Sequence, residues 1–111
     1  MTNLELAEKL GFEIFNKGEE KPVAGGYCGD LLSWVMGKVD SEAAWITVMN
    51  NINVAAVAVL RDVSCVILAE GVKPDDNLLA KAKSEDLCLF GSSDNGFKLS
   101  VEIASCIGYE G

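Results

Sequence analysis

Apolar and polar positions change period several times along the chain, and each change marks an element. Leu4, Leu6, Ala7 and Leu10 approximate a helical stripe with Glu5, Glu8 and Lys9 off it, which predicts a short amphipathic helix over residues 3–10. Thr2 or Asn3 suits its N-cap and Gly11 its end. Phe12, Ile14 and Phe15 predict a short strand, and residues 16–21 a polar turn. Pro22, Val23 and Ala24 open a second extended segment that runs into a loop over residues 25–30. Leu31, Leu32, Trp34, Val35 and Met36 then read as a helix ending near Gly37, with Asp30 as its N-cap. Residues 43–49 are apolar and rich in strand formers, and residues 50–53 connect them to an apolar run over 54–61. Valines dominate that run, so its composition also allows a strand. The alternation of elements around it decides for a buried helix, with Asn53 as its N-cap. A strand over 64–68, a helix opening at Asp75 and Asp76, a strand over 87–90 and a last helix ending near Gly108 complete the pattern.

From residue 43 onward the order is therefore strand, helix, strand, helix, strand, helix. That order predicts an α/β fold, a small three-layer-like domain with a mainly parallel sheet and helical crossovers. The 111 residues fit one domain, and half of them are hydrophobic, so apolar material for a core is plentiful. No internal repeat or low-complexity tract interrupts it.

Charge and cysteine content narrow the function classes. Seventeen acids face nine bases, giving a formal net charge of −8. Such a field repels phosphate backbones and anionic headgroups, so neither nucleic acid nor a membrane surface is an expected partner. A basic partner protein is the sharper expectation, and a merely well-solvated surface the blander one. The longest apolar stretch, residues 54–60, is far short of a membrane span. Cys28, Cys65, Cys88 and Cys106 are too widely spaced for a zinc or iron–sulfur motif, and there is no histidine to complete one. The thiols read as small buried hydrophobes. With no basic n-region at the N-terminus, they point to a reducing cytoplasm.

The usual catalytic constellations need residues this chain lacks. Without histidine there is no Ser–His or Cys–His pair. The cluster Gly25-Gly26-Tyr27-Cys28-Gly29-Asp30 puts an acid where a phosphate loop needs a lysine, and no dinucleotide fingerprint occurs, so no cofactor is expected. The acid pairs Glu19/Glu20, Asp75/Asp76 and Glu85/Asp86 read as solvated faces or dipole complements. Ligands of open parallel sheets bind beyond the carboxyl ends of the strands. Four loops fall there, over residues 25–30, 49–53, 69–71 and 91–94. The candidate ligand contacts are Gly25, Gly26, Tyr27, Asp30, Asn50, Asn51, Asn53, Glu70, Ser92 and Ser93, with Asp94 beside them. Asp30, Asn53 and either Ser93 or Asp94 serve equally well as helix caps. Gly25 and Gly26 serve equally well where φ is positive or two backbones approach. Asn50 and Asn51 exceed what one cap requires.

The stretch Gly25-Gly26-Tyr27-Cys28-Gly29-Asp30-Leu31-Leu32-Ser33-Trp34-Val35-Met36-Gly37 resembles a DRTGG domain. Ala44-Trp45-Ile46-Thr47-Val48, Asn51-Ile52-Asn53-Val54-Ala55-Ala56-Val57-Ala58 and Val66-Ile67-Leu68 followed by Gly71 and Pro74-Asp75 continue the likeness over essentially the whole chain. Lys21, Pro22, Val23 and Ala24 stand where the family's Asp-Arg-Thr would be, so no role of that arginine or threonine carries over. The resemblance implies a fold similar to the N-terminal domains of HPr kinase/phosphorylase and of Mur ligases. It implies regulation and subunit pairing, with nucleotide sites in adjoining CBS domains and no catalytic residues. Its free-standing members accompany electron-transfer systems, which implies a partner protein in a redox or signalling system. The expected function is a non-catalytic regulatory or interaction domain that forms a homodimer, with residues 54–60, Trp34 and Met36 available to an interface. The alternative is a sensor of a nucleotide or other small polar metabolite at the four loops.

Overall fold

The computed structural model describes residues 1–111 as five helices and one five-stranded sheet. The first helix, α1 (Asn3–Leu10), starts at a capping box. The Thr2 side chain accepts from the Glu5 N–H, and the Glu5 carboxylate accepts from the Thr2 N–H at 2.8 Å. Gly11 ends it in the left-handed region at φ 69°. Strand β1 (Glu13–Asn16) follows, then β2 (Gly25–Cys28), α2 (Leu32–Lys38), β3 (Ala43–Thr47), α3 (Ile52–Leu60), β4 (Cys65–Leu68), α4 (Asp76–Ser84), β5 (Leu89–Gly91) and α5 (Gly96–Ile107).

The sheet order is β1-β5-β4-β3-β2. Strands β2 to β5 are parallel and sit side by side in chain order, while β1 returns antiparallel to β5. Crossovers between parallel neighbours keep one hand, and here they all step the same way. So α2, α3 and α4 pack on one face, and α1 and α5 cover the other. The expected α/β architecture, mostly parallel and three-layered, is the one found. Strand–helix alternation starts at β2, earlier than residue 43, because the glycine-rich residues 25–28 form a strand and not a loop.

Both faces of the central strands are covered, which is why they read as unbroken apolar runs. Trp45, Val66, Leu68 and Leu89 point toward α2–α4 and meet Val35, Val54, Val57 and Leu78. Ile46, Ile67 and Phe90 point the other way and meet Leu6, Phe12, Leu99 and Ile103. Trp45 is fully buried, and its indole N–H is satisfied by the Gly29 carbonyl at 3.0 Å.

The turns that return each crossover helix to the sheet lack glycine. Glu42, Asp62 and Asp86 take the left-handed conformation at φ 63°, 56° and 52°, just before β3, at the end of α3 and after α4. The short side chains of Asp62 and Asp86 tolerate that region better than most, and Glu42 takes it at a greater cost.

Candidate functional site

Four connections leave the carboxyl ends of the parallel strands, and each leads into a helix N-terminus. Local hydrogen bonding already occupies most of the polar groups on them. Asp30 does not cap α2, whose N-cap is Leu31 without a side-chain bond. Its Oδ1 instead accepts from the Thr47 hydroxyl at 2.8 Å and the Val48 N–H at 2.9 Å, fastening the end of β2 to the end of β3. Asn53 is not the cap of α3 either. Asn51 is, accepting from the Asn53 N–H at 2.9 Å, and the helix opens two residues earlier than the valine run suggests. Asn50 donates to the Lys73 carbonyl at 2.9 Å and its own carbonyl accepts from the Asp75 N–H, so it staples two neighbouring loops. Neither Ser93 nor Asp94 caps α5. Asn95 does, accepting from the Lys98 N–H at 2.9 Å. At α3 and α5 the cause is the same: with several Asx and Ser residues in a row, the cap falls to whichever sits directly before the first helical turn, whereas at α2 the Asp30 carboxylate is taken by Thr47 and Val48.

The ten candidate residues therefore do not converge on one point. Ser92 and Ser93 line a polar cleft of about 340 Å³, between the loop after β5, the loop after β4 and the start of β1. Its other walls include Glu13, Phe15, Gly71, Lys73, Gly91 and Asp94. Lys73 sits at its mouth, paired with Glu13 at 2.6 Å and lying 5.4 Å from the Phe15 ring centre. Ser92 Oγ accepts from the Asp94 N–H, while Ser93 is exposed. Glu70, at φ 58°, is held by its N–H to the Asp94 carbonyl. Lys73, Glu13 and Phe15 were not among the sequence candidates, because only the antiparallel return of β1 brings residues 13 and 15 here.

Gly26 and Tyr27 border a different feature, a largely apolar groove of about 370 Å³ between β2 and α5. Gly26 and Cys28 belong to the groove side, with Ile46, Ser100, Ala104 and Ile107 opposite and beneath. The Tyr27 ring packs against the core under α2. Gly25 and Gly26 have ordinary negative or extended φ, and a Cβ would meet nothing within 4 Å at Gly25 and only the Ala44 carbonyl at 3.5 Å at Gly26. Neither explanation anticipated for the glycines, positive φ or a tight internal approach, applies.

The cysteines divide as well. Cys65 and Cys88 are buried, and burial pushes both thiols up, Cys65 the further. Cys28 is exposed at the groove, so the burial expected from the apolar neighbours of Cys65 and Cys88 holds for those two and does not extend to it. Its pKa is raised, chiefly by partial burial, with the Ser100 hydroxyl opposing and the Asp30 charge reinforcing the shift. No helix is long and apolar enough to cross a membrane.

No family model matches the sequence, and no curated protein matches it. Among solved structures, the chain is similar to the CBS and DRTGG domains of the regulatory region of Clostridium perfringens pyrophosphatase, crystallised with its activator, diadenosine tetraphosphate. The TM-score is 0.71 at 17% identity, over 92% of this chain and 45% of that one, so this chain spans less than half of the length it matches. The likeness carries the fold, and it is the DRTGG-like fold that the residues around Gly25 to Gly37 led us to expect.

Proposed function

We propose that this chain is one regulatory domain that acts by binding and not by catalysis, pairing with a second copy and acting on a partner protein. The observation that carries this reading is α3. Its inner face, Val54, Ala55, Val57 and Ala58, is buried in the core. Its outer stripe, Ile52, Ala56, Val59 and Leu60, repeats at helical spacing and is apolar too, with Leu60 70% exposed. A helix apolar all round belongs in an interior, so a covering surface is called for. Trp34, 59% exposed, is a second large apolar side chain left at the surface, on the neighbouring α2. The valine run thus divides between core and surface, and Met36 is half-buried against the core. The likeness to a pyrophosphatase regulatory region supports the regulatory part of the reading. Unpaired thiols suit a cytoplasmic setting.

Sedimentation equilibrium at micromolar concentration tests the pairing. The expected mass is twice the 11.8 kDa of one chain, falling to one chain in Leu60→Glu. A wild-type mass of one chain overturns it.

A second reading, a small polar ligand at the carboxyl edge, is favoured by the cleft at Ser92 and Ser93 and by the nucleotide activator bound to the pyrophosphatase regulatory region. In that reading Ser92 and Ser93 supply the contacts beside Gly71 and Lys73, and Gly25, Gly26, Tyr27, Asp30, Asn50, Asn51, Asn53 and Glu70 lie outside the cleft. Melting against a nucleotide and metabolite panel tests it, since a ligand at about 100 times its Kd adds roughly 2.7 kcal/mol. No shift across the panel removes this reading.

A further inference from the structure

We infer that the groove between β2 and α5 is a docking site for an extended, apolar segment of a partner protein with basic flanks, which adds to β2 as a sixth strand. The inference rests on the reading of this chain as a protein-binding domain and names the surface and the kind of partner.

Three observations carry it. First, β2 is the edge of the sheet, paired only with β3, so the polar backbone groups of its other side are unpaired. Exposed edges are usually blunted by a charge, a proline or a bulge. Here residues 25–28 carry no charge and no proline, and their register with β3 is unbroken.

Second, Gly25 and Gly26 are not required by this chain's own backbone. Neither has positive φ, and neither has a neighbour closer than ordinary contact. Two glycines side by side in a strand weaken it, through chain entropy and lost side-chain packing. Such positions mark where another backbone can come close, and β2 has no strand paired on its outer side. A bare edge gives an incoming strand unobstructed access.

Third, α5 carries more apolar surface than the sheet covers. Leu99 and Ile103 are buried beneath it. Ala104 and Ile107 line the groove, and Phe97 and Val101, 82% and 55% exposed, continue the apolar surface outward from Ala104. A groove between an edge strand and an apolar helix is the geometry of strand addition. Main-chain bonds give affinity, and alternate side chains enter the groove.

Charge selects the flanks. Of the groove's lining residues only Glu110 is charged, so the bound stretch is apolar. Asp30 follows β2 at one end, Asp40 lies near Gly25 at the other, and the chain carries −8 overall. Lys38, also near that end, has its ammonium over the Trp34 ring at 4.4 Å. An acidic field steers a base-flanked segment in and repels an acid-flanked one.

The test uses the full chain and two fluorescent nonapeptides of alternating valine and threonine, one flanked by lysine pairs and one by glutamate pairs. Anisotropy should show saturable binding of the lysine peptide, weakening as salt is raised. Amide hydrogen exchange should slow at residues 25–28 on binding. Gly26→Val fills the groove without a backbone clash and should weaken binding by about tenfold or more. Ala104→Trp, which fills it from the helix side, should do the same while leaving the β2–β3 pairing untouched. No binding of the lysine peptide overturns the inference, as does equal binding by both fillers, and equal binding of the glutamate peptide overturns its charge component. Slowed exchange at residues 25–28 that depends on protein concentration alone would assign the edge to a second copy and overturn the inference. Peptide binding by a chain that sediments as a monomer would leave the groove standing and remove only the pairing at α3. A dimer without peptide binding would do the reverse.

Discussion

Replacing Asn3 by alanine should cost more stability than any other single polar substitution near the N-terminus. Asn3 is fully buried at the first position of α1, and its amide is a three-way clamp. Nδ2 donates to the Ser64 carbonyl at 2.8 Å and the Glu19 carbonyl at 3.1 Å, and Oδ1 accepts from the Lys21 N–H at 3.3 Å. The clamp ties the helix start, the β1–β2 connection and the entry to β4 together. In Asn3→Ala the buried Ser64 carbonyl and the half-buried Lys21 N–H are left without this partner. Each such loss costs about 1–3 kcal/mol, so the sum is about 3 kcal/mol. For a chain of this length that is a fall in Tm of about 10–15 °C. Asn3→Asp sharpens the test. It keeps the shape and the acceptor but turns carboxylate oxygen toward two carbonyls. Protonation restores one donor, so the folded-state pKa of the new carboxyl should lie above its ordinary value. Between those two values the folded state holds more protons than the unfolded state, so stability falls as pH rises through the interval. The assay is thermal unfolding followed by circular dichroism, for both variants, at pH 4 and pH 7. A midpoint for Asn3→Ala within about 2 °C of wild type, or no added pH dependence in Asn3→Asp, would refute the clamp.

Asp30→Ala should lose about 1–2 kcal/mol by stranding the Thr47 hydroxyl and the Val48 N–H, and Asp30→Asn less than half of that, read by the same unfolding curves. Gly18→Ala should be far worse than Gly25→Ala. A Cβ at Gly18 runs into the Asp86 carbonyl, whereas one at Gly25 meets nothing within 4 Å, so the losses should be about 3 kcal/mol and under about 0.5 kcal/mol. With a disulfide reagent, Cys28 and Cys106 should label in the native protein, and Cys65 and Cys88 only on unfolding. The thiolate is the reactive form and the Cys28 pKa lies above its ordinary 9.0, so its labelling rate should rise about tenfold per pH unit from pH 7 to 9. A rate that levels off below pH 8 would contradict the raised value.

The fold was legible because burial writes itself into the central strands. Runs such as Cys65–Leu68 need apolar side chains on both faces and so stand out without any alternation. The edge strand β2 was missed as a strand because its identifying residues are glycines, which look like a turn when the neighbouring strand is unseen. The return turns at Glu42, Asp62 and Asp86 were equally hidden, since acids in the left-handed region look like ordinary surface residues. Three of the four predicted loops lie beyond the carboxyl ends of the strands, as the order of elements implies, whereas residues 25–28 are the strand β2 itself. What their side chains do was not legible, because the partner of Asn50 is Lys73 and that of Asp30 is Thr47, contacts set by tertiary structure. Neither the groove nor the cleft could be foreseen. One needs α5 laid against β2, and the other needs β1 turned back beside β5.

The place of β1 in the sheet also sets an order of events as the chain is made. Strands β2 to β5 lie in the order in which they are synthesised, so each βα unit finds its neighbour already present when it emerges. The first strand has no such neighbour. Glu13 must wait for Gly91, and until then β1 has no strand to pair with. β1 is therefore made well before the strand it pairs with, and its arrival covers the open side of β5.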